Sequence, residues 1–414
     1  MTSHIFYFLS HRRRQSLPMK RKRKSSRENL RPGKLFRNPL KRKKIRTSFK
    51  SSQQFVQAET CLYLPDDCWE IVFRFLIING YNSCLKSLSL VSKHFLSVTN
   101  CLLFSLTILD QTRPFLDRLF KRFTYLNSLD ISEYDSDLDM LLCDISCFPL
   151  NITSLNICDN RTFPSNGLQA FSQKITTLTS LNASNIYSMD DQHAAHFSLF
   201  LTNLVSINLS ECSYLTELSL FSLVKNCPSL SEIKMEDTDI GKENVENNDS
   251  MMDIGIYPQL KSLYLGDNLW LSVQKIIMFA SSIPSLQLLD LNDCDLSDGI
   301  WQFVRRFDMI THLNLASCTD VNKFKMNFVL PKLQVLDLAD TGVDDETVYA
   351  ISKSCPGLLE LLLKYCYYVT EKGVKHVVEN CKQLRKIEFS DFYVHDTIRE
   401  LAMDALFASV LKFL

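Results

Sequence analysis

One short apolar pattern recurs down most of this chain. In KSCPGLLELLLKYC it is Leu358, Leu361, Leu363 and Cys366, an L-x-x-L-x-L-x-x-C spacing. Related stretches open at Leu126, Ile152, Leu178, Leu204, Leu230, Leu260, Leu286, Ile310, Leu333 and Leu384. The intervals between the eleven starts are 26, 26, 26, 26, 30, 26, 24, 23, 25 and 26 residues. LFSLTILDQ at Leu103 reads as a degraded twelfth unit. The L-x-L alternation predicts a short strand with one apolar face. The second half of each unit predicts a helix: in VDDETVYAISKSC, Asp344 is placed to cap it, and Val348, Ile351 and Cys355 recur at helical spacing. One unit buries about five or six large side chains at ~1.5–3 kcal/mol each. Ordering its backbone costs ~1–2 kcal/mol per residue. Only stacking on neighbours closes that gap, so a curved solenoid lined by a parallel sheet is expected.

The period also sorts the cysteines. Eight residues after a unit's first apolar position stand Asn160, Cys212, Thr238, Asn268, Cys294, Cys318, Thr341 and Cys366, all small and able to hydrogen-bond where the chain leaves the strand. Tyr134, Ile186 and Phe392 depart from this column, and at Ile186 the neighbouring Asn185 is the expected substitute. A second column, Cys227, Cys355 and Cys381, falls three residues before a unit, at helix ends. There is no CxxC among the fourteen cysteines. Reduced core thiols are expected, not bridges and not a metal site.

Net charge is zero but unevenly spread. Residues 1–50 hold eighteen of the 46 Lys/Arg and one of the 46 Asp/Glu, which leaves 28 basic against 45 acidic residues in the rest. Two basic clusters, Lys20, Arg21, Lys22, Arg23 and Lys24, then Lys41, Arg42, Lys43 and Lys44, predict a disordered tail that fits nuclear import. The nucleus is the expected compartment, with the cytosol second. Nucleic acid is not the expected partner. No apolar stretch approaches the eighteen residues of a membrane span, and IFYFL at 5–9 is too short for a signal-peptide core. No membrane partner is expected.

The repeat resembles the plant-like, cysteine-containing subclass of leucine-rich repeats over about residues 126–395. Residues two, four and six after each first leucine should point away from the core. The fourth-position stripe runs Asp130, Asn156, Asn182, Asn208, Lys234, Tyr264, Asp290, Asn314, Asp337, Leu362 and Glu388. From Lys234 to Glu388 it is the candidate surface for an unknown protein substrate, with Tyr264 as the exposed anchor. Plant hormone receptors of related type cradle an inositol polyphosphate with many basic residues. Lys234 is the stripe's only cation, so no cofactor is expected. The interval from Leu230 to Leu260 is long and holds EDTDIGKENVENNDSMMD, read as an exposed acidic loop.

In front of the repeats lies LYLPDDCWEIVFRFLIINGYNSCLKSLSLVSKHFLSV, residues 62–98. It predicts two helices. Cys68, Ile71, Val72, Phe75 and Leu76 make one wide face of the first, and Leu85, Leu88, Val91 and Phe95 the face of the second. Trp69, Phe73 and Leu90 fall outside those stripes and call for other cover. Leu64-Pro65, Ile71, Leu76 and LKSLSLVSKHF resemble an F-box, with Phe95 where that family often has Trp. The resemblance implies a Skp-type adaptor and, through it, a cullin scaffold. The implied adaptor-binding residues are Leu64, Pro65, Ile71, Val72, Leu76, Leu88, Val91, Lys93 and Phe95.

The expected architecture is therefore α/β: a disordered basic tail at 1–58, an F-box at 60–102, a leucine-rich-repeat solenoid at 103–395 and a C-terminal capping helix at 396–414. The implied role is the substrate-recognition subunit of an SCF-type ubiquitin ligase. The alternative is a non-catalytic repeat scaffold whose helical hairpin only caps the array. The sequons at Asn151, Asn182 and Asn208 raise an extracellular reading, but the latter two fall on predicted strands. His193 and His196 lack further ligands at useful spacing, and no nucleophile–base constellation, GxxxxGK[ST] or GxGxxG is present. Catalysis by this chain is not expected.

Overall fold

A computed structural model describes residues 64–78, 82–242, 255–296, 304–318 and 328–389. The basic clusters, the acidic stretch beyond residue 242, Phe392 and the expected capping helix lie outside these residues.

Among the described residues, twelve short strands form one sheet in which spatial order equals chain order. They are β1 (Ser105–Thr107), β2 (Ser128–Asp130), β3 (Ser154–Asn156), β4 (Ser180–Asn182), β5 (Ser206–Asn208), β6 (Glu232–Lys234), β7 (Ser262–Tyr264), β8 (Leu288–Asp290), β9 (His312–Asn314), β10 (Val335–Asp337), β11 (Glu360–Leu363) and β12 (Lys386–Phe389). Neighbours pair in parallel without slippage, for example Leu129 with Leu155 and Leu155 with Leu181. The degraded unit at Leu103 supplies β1, which pairs with β2. This is the leucine-rich-repeat fold. Each strand's middle residue enters a single apolar core that runs from Ile108 to Leu384. Parallel strands sit ~4.8 Å apart while packed helices need ~8–10 Å. The open array therefore curves with its sheet on the inner side.

Helices follow the strands where the sequence places them. Asp344 accepts from the Thr347 amide at 2.8 Å and caps the helix Asp345–Ser354, whose Val348 and Ile351 are fully buried. Successive helices are stapled by carboxylates. Asp345 accepts from the amides of Thr370 at 2.7 Å and Gly373 at 3.0 Å in the next repeat, and Asp139 accepts from the Gly167 amide at 2.6 Å. These bonds satisfy helix-start donors that would otherwise be orphaned.

The strand-exit column binds repeats to one another. The thiols of Cys212, Cys294, Cys318 and Cys366 donate to the carbonyls of Ala183, Leu265, Leu291 and Leu338, each in the preceding repeat. The Asn160 and Asn268 amides make the same step to Ile131 and Met235. At the helix-end column the Cys227 thiol reaches the Leu201 carbonyl. Burial pushes Cys212 and Cys227 up to about 11 and Cys318 and Cys355 up to about 12, so each keeps its proton at neutral pH. The expected substitution by Asn185 does not occur. Its amide turns outward to the Asp159 carboxylate at 2.7 Å, and Ile186 fills the column by packing alone, fully buried.

The N-terminal module differs from its expected form in two ways. It has three helices, not two: α1 (Asp66–Ile78), α2 (Asn82–Ser89) and α3 (Lys93–Cys101). Ser92 is extended and accepts from the Phe95 amide at 3.0 Å, which ends one helix and starts another. The buried side of α1 is also not the expected one. Phe73 is 1% exposed and clusters with Trp69, Leu76 and Phe95. Trp69 and Phe73 stand 4.7 and 5.2 Å from Phe95, ring centre to ring centre. Ile71, Val72 and Phe75 are on the solvent side.

Candidate functional site

Strand register brings the fourth-position residues into one continuous row. Asp130 lies beside Asn156, then Asn182, Asn208, Lys234, Tyr264, Asp290, Asn314, Asp337, Leu362 and Glu388, each on the next strand. The polar members do structural work as well. Asp130, Asn156, Asn182, Asn208, Asp290, Asn314 and Asp337 each accept from the amide two residues on, which fixes the exit from the strand.

The row is electrostatically uneven. Lys234 Nζ lies 4.6 Å from the centre of the Tyr264 ring, so this Tyr is half-buried beneath a cation instead of standing exposed. Burial pushes the Tyr264 hydroxyl up to about 12, with Glu232 and Asp290 adding to it. Asp290 accepts from the Asn314 side chain at 2.9 Å, and burial still pushes its carboxyl up to about 6. Burial raises Asp337 as well. Lys386, held by Glu388 at 2.8 Å, adds a second cation at the β12 end that the fourth-position count does not include.

A second ordered row lies just past the strands. Asp159, Asn185, Glu211, Asp237, Asp267, Asp293, Ser317, Asp340 and Tyr365 all have φ between 51° and 65°. Every one is seven residues after its unit's first apolar position. The left-handed turn is tolerated by Asp and Asn because their short polar side chains bond locally. The row is thus set by backbone geometry, and it gives one rim of the sheet a line of carboxylates. The sequence carried a signal for it, the acid just before six of the eight small turn residues, with Ser317 and Tyr365 before the other two.

The residues implied for adaptor binding divide into two groups. Leu64, Pro65, Ile71, Val72, Val91 and Lys93 are exposed, with Ile71 at 67% and Val91 at 66%. Leu76, Leu88 and Phe95 pack inward against the Phe73 cluster. The first group forms a surface, and the second holds the module that presents it. That module meets the array through Phe104, just before β1, over which the Arg74 guanidinium lies 5.5 Å from the ring centre.

His193 bonds the Asp190 carboxylate at 2.6 Å at the start of the helix Asp191–Ser198, and His196 meets Phe200 edge to face. Both have local structural partners. No helix among the described residues is long and apolar enough to cross a membrane.

No family model matches the sequence. Among solved structures, an internalin from Listeria monocytogenes is similar at 17% identity and a TM-score of 0.46, over 70% of this chain and 80% of that one. The Rad7 and Elc1 complex of yeast is similar at 16% and 0.46, over 82% of this chain and 85% of the matched one. The mouse RP105/MD-1 complex is similar at 18% and 0.44, over 66% of this chain and 48% of the matched one.

Proposed function

We propose that this chain is the substrate-recognition subunit of an SCF-type ubiquitin ligase, in which α1–α3 dock a Skp-type adaptor and the repeats hold a protein target. The observation that carries this reading is the exposure of Ile71, Val72, Phe75, Leu90 and Val91 on a small module whose Trp69, Phe73, Leu76, Leu85, Leu88 and Phe95 pack into its own core. Isolated exposed aliphatics need no explanation, but a group of them on a small helical module marks an interaction face. The polar and acidic inner row, from Lys234 to Glu388, is the surface offered to the target. The chain contributes proximity, not chemistry on its own side chains. The basic clusters at 20–24 and 41–44 direct it to the nucleus, and deletion of residues 1–50 is expected to abolish nuclear accumulation in live imaging while leaving adaptor capture intact.

The test is capture of purified Skp-type adaptor by the full chain and by Ile71→Asp/Val91→Asp. Both positions are exposed, so the variant should melt as wild type and lose the adaptor. Wild-type capture by that variant, or none by the parent, would support the second reading, a repeat scaffold whose helices only cap the array.

A further inference from the structure

The carboxylate rim also carries aromatic residues. Tyr187 and Tyr214, on successive strand-exit turns, meet edge to face with ring centres 5.3 Å apart and hydroxyls 2.7 Å apart. Both are open to solvent, Tyr187 at 69%. Further along, Leu269 and Trp270 are exposed at 68% and 57%. Against Trp270 lies a cleft of about 100 Å³ whose lining includes Ser213, Asp237, Asp239, Asp267 and Leu269.

The walls of this cleft are built, not incidental. Gly241 has φ +91°, and a Cβ there would collide with the Trp270 carbonyl, so the two turns approach as closely as backbone allows. Asp237 and Asp267 are held in the left-handed turn. Asp239 is paired with Lys242 at 2.8 Å. Asp267 receives one hydrogen bond from Asn292 but faces Asp293, Asp237 and Glu236, and burial with these like charges raises its carboxyl. Among the described residues, Lys242 is the cation paired with the cleft carboxylates, beside an exposed indole.

A metal ion is a poor fit: among the described residues no group of three His, Cys, Asp or Glu side chains is arranged to hold one. An indole and a leucine beside carboxylates suit instead an organic cation with an aliphatic stem, the stem lying on carbon and the charge between oxygens. The other members of the left-handed row, Asp159, Glu211, Asp293 and Asp340, extend the same charge along neighbouring turns. Strands repeat at ~4.8 Å, so an extended polypeptide lying across the turns of Glu211, Asp237, Asp267 and Asp293 meets four carboxylates in succession.

We infer that this rim is a docking surface for an unstructured lysine- and arginine-rich segment of a partner protein, one cationic side chain of which lies over Trp270 between Asp237 and Asp267. The surface shares no residue with α1–α3, so this inference stands or falls separately from adaptor binding.

The probe is a fluorescein-labelled peptide of alternating arginine and serine, titrated with the full chain at physiological salt and read by anisotropy. Trp270→Ala leaves the charge unchanged and should weaken binding about ten-fold. Trp270→Phe, which keeps a ring, should recover most of that loss. Asp237→Asn/Asp267→Asn should weaken binding by at least as much. Asn keeps the left-handed turn, so melting should be unchanged. Asp159→Asn/Asp340→Asn removes equal charge elsewhere on the row and should change affinity less than about two-fold. Binding by Trp270→Ala equal to wild type, or a control pair as damaging as the cleft pair, would reduce the effect to general attraction by an acidic surface and overturn the inference. So would no binding by the wild-type chain.

Discussion

The Cys366 thiol donates to the Leu338 carbonyl of the preceding repeat across 2.9 Å. A side chain at this position therefore has two duties, to be small and to donate. Cys366→Ser retains both and should change stability by less than about 1 kcal/mol. Cys366→Phe loses the donor and overpacks the turn, and should cost about 3 kcal/mol or more. Urea melts of the two variants should separate clearly. Equal midpoints would remove Cys366 from the column.

In the N-terminal module, Phe73 and Ile71 sit two residues apart on α1 with opposite fates. Phe73→Ala empties the centre of the aromatic cluster and should cost about 3–5 kcal/mol. Ile71→Ala touches an exposed side chain and should stay within about 0.5 kcal/mol. Hydrogen exchange over residues 64–102 checks this, with rapid exchange expected for the Phe73 variant alone.

At Asp290 the folded carboxyl titrates at about 6, above its ordinary value of 3.8. The folded chain then holds this proton more tightly than the unfolded chain does. The associated stability is complete below the unfolded value and is lost as pH rises from about 4 through 6. Asn fills the same position at 156, 182, 208 and 314, so Asp290→Asn fits the row. The variant should be more stable than wild type by about 1–3 kcal/mol at pH 7 and no more stable near pH 4. A constant difference across that range would refute the assignment.

Gly167→Ala tests the stapling of helices. Helix propensity alone favours Ala by up to about 1 kcal/mol. A Cβ at Gly167 would instead lie 2.6 Å from the Asp139 carbonyl oxygen of the preceding helix, and the Asp139 side chain would lose its grip on the Gly167 amide. A loss of about 1–3 kcal/mol is expected. A gain in thermal midpoint would show that the two helices can separate freely.

The repeat was legible because strand, turn and helix each leave a residue-level mark at a fixed interval. Leu333 locates β10, Asp344 its helix start and Cys355 its helix end without any tertiary information. The module at 64–102 was less legible because α1 is apolar on two sides. Periodicity finds both stripes, but which one faces inward is set by how Phe95 and Trp69 meet Phe73, a tertiary fact. The break at Ser92 was visible in principle, as a serine able to cap Phe95, yet the apolar spacing of Leu88, Val91 and Phe95 imitates one continuous helix. The cover over Tyr264 is hidden for a similar reason. Side-chain parity sends it outward, but its cover by the neighbouring Lys234 depends on register between β6 and β7.

Strict parallel register makes the inner face a ruler. Any two of its side chains are separated by a whole number of strand steps, each ~4.8 Å, whatever the helices behind them do. Duplicating or deleting one unit would lengthen or shorten the measured distance by one graduation and leave every other mark unchanged. A target read along this face can therefore be distinguished by the spacing of its own groups, and a descendant of this chain can acquire a new spacing in a single genetic step without redesigning its core.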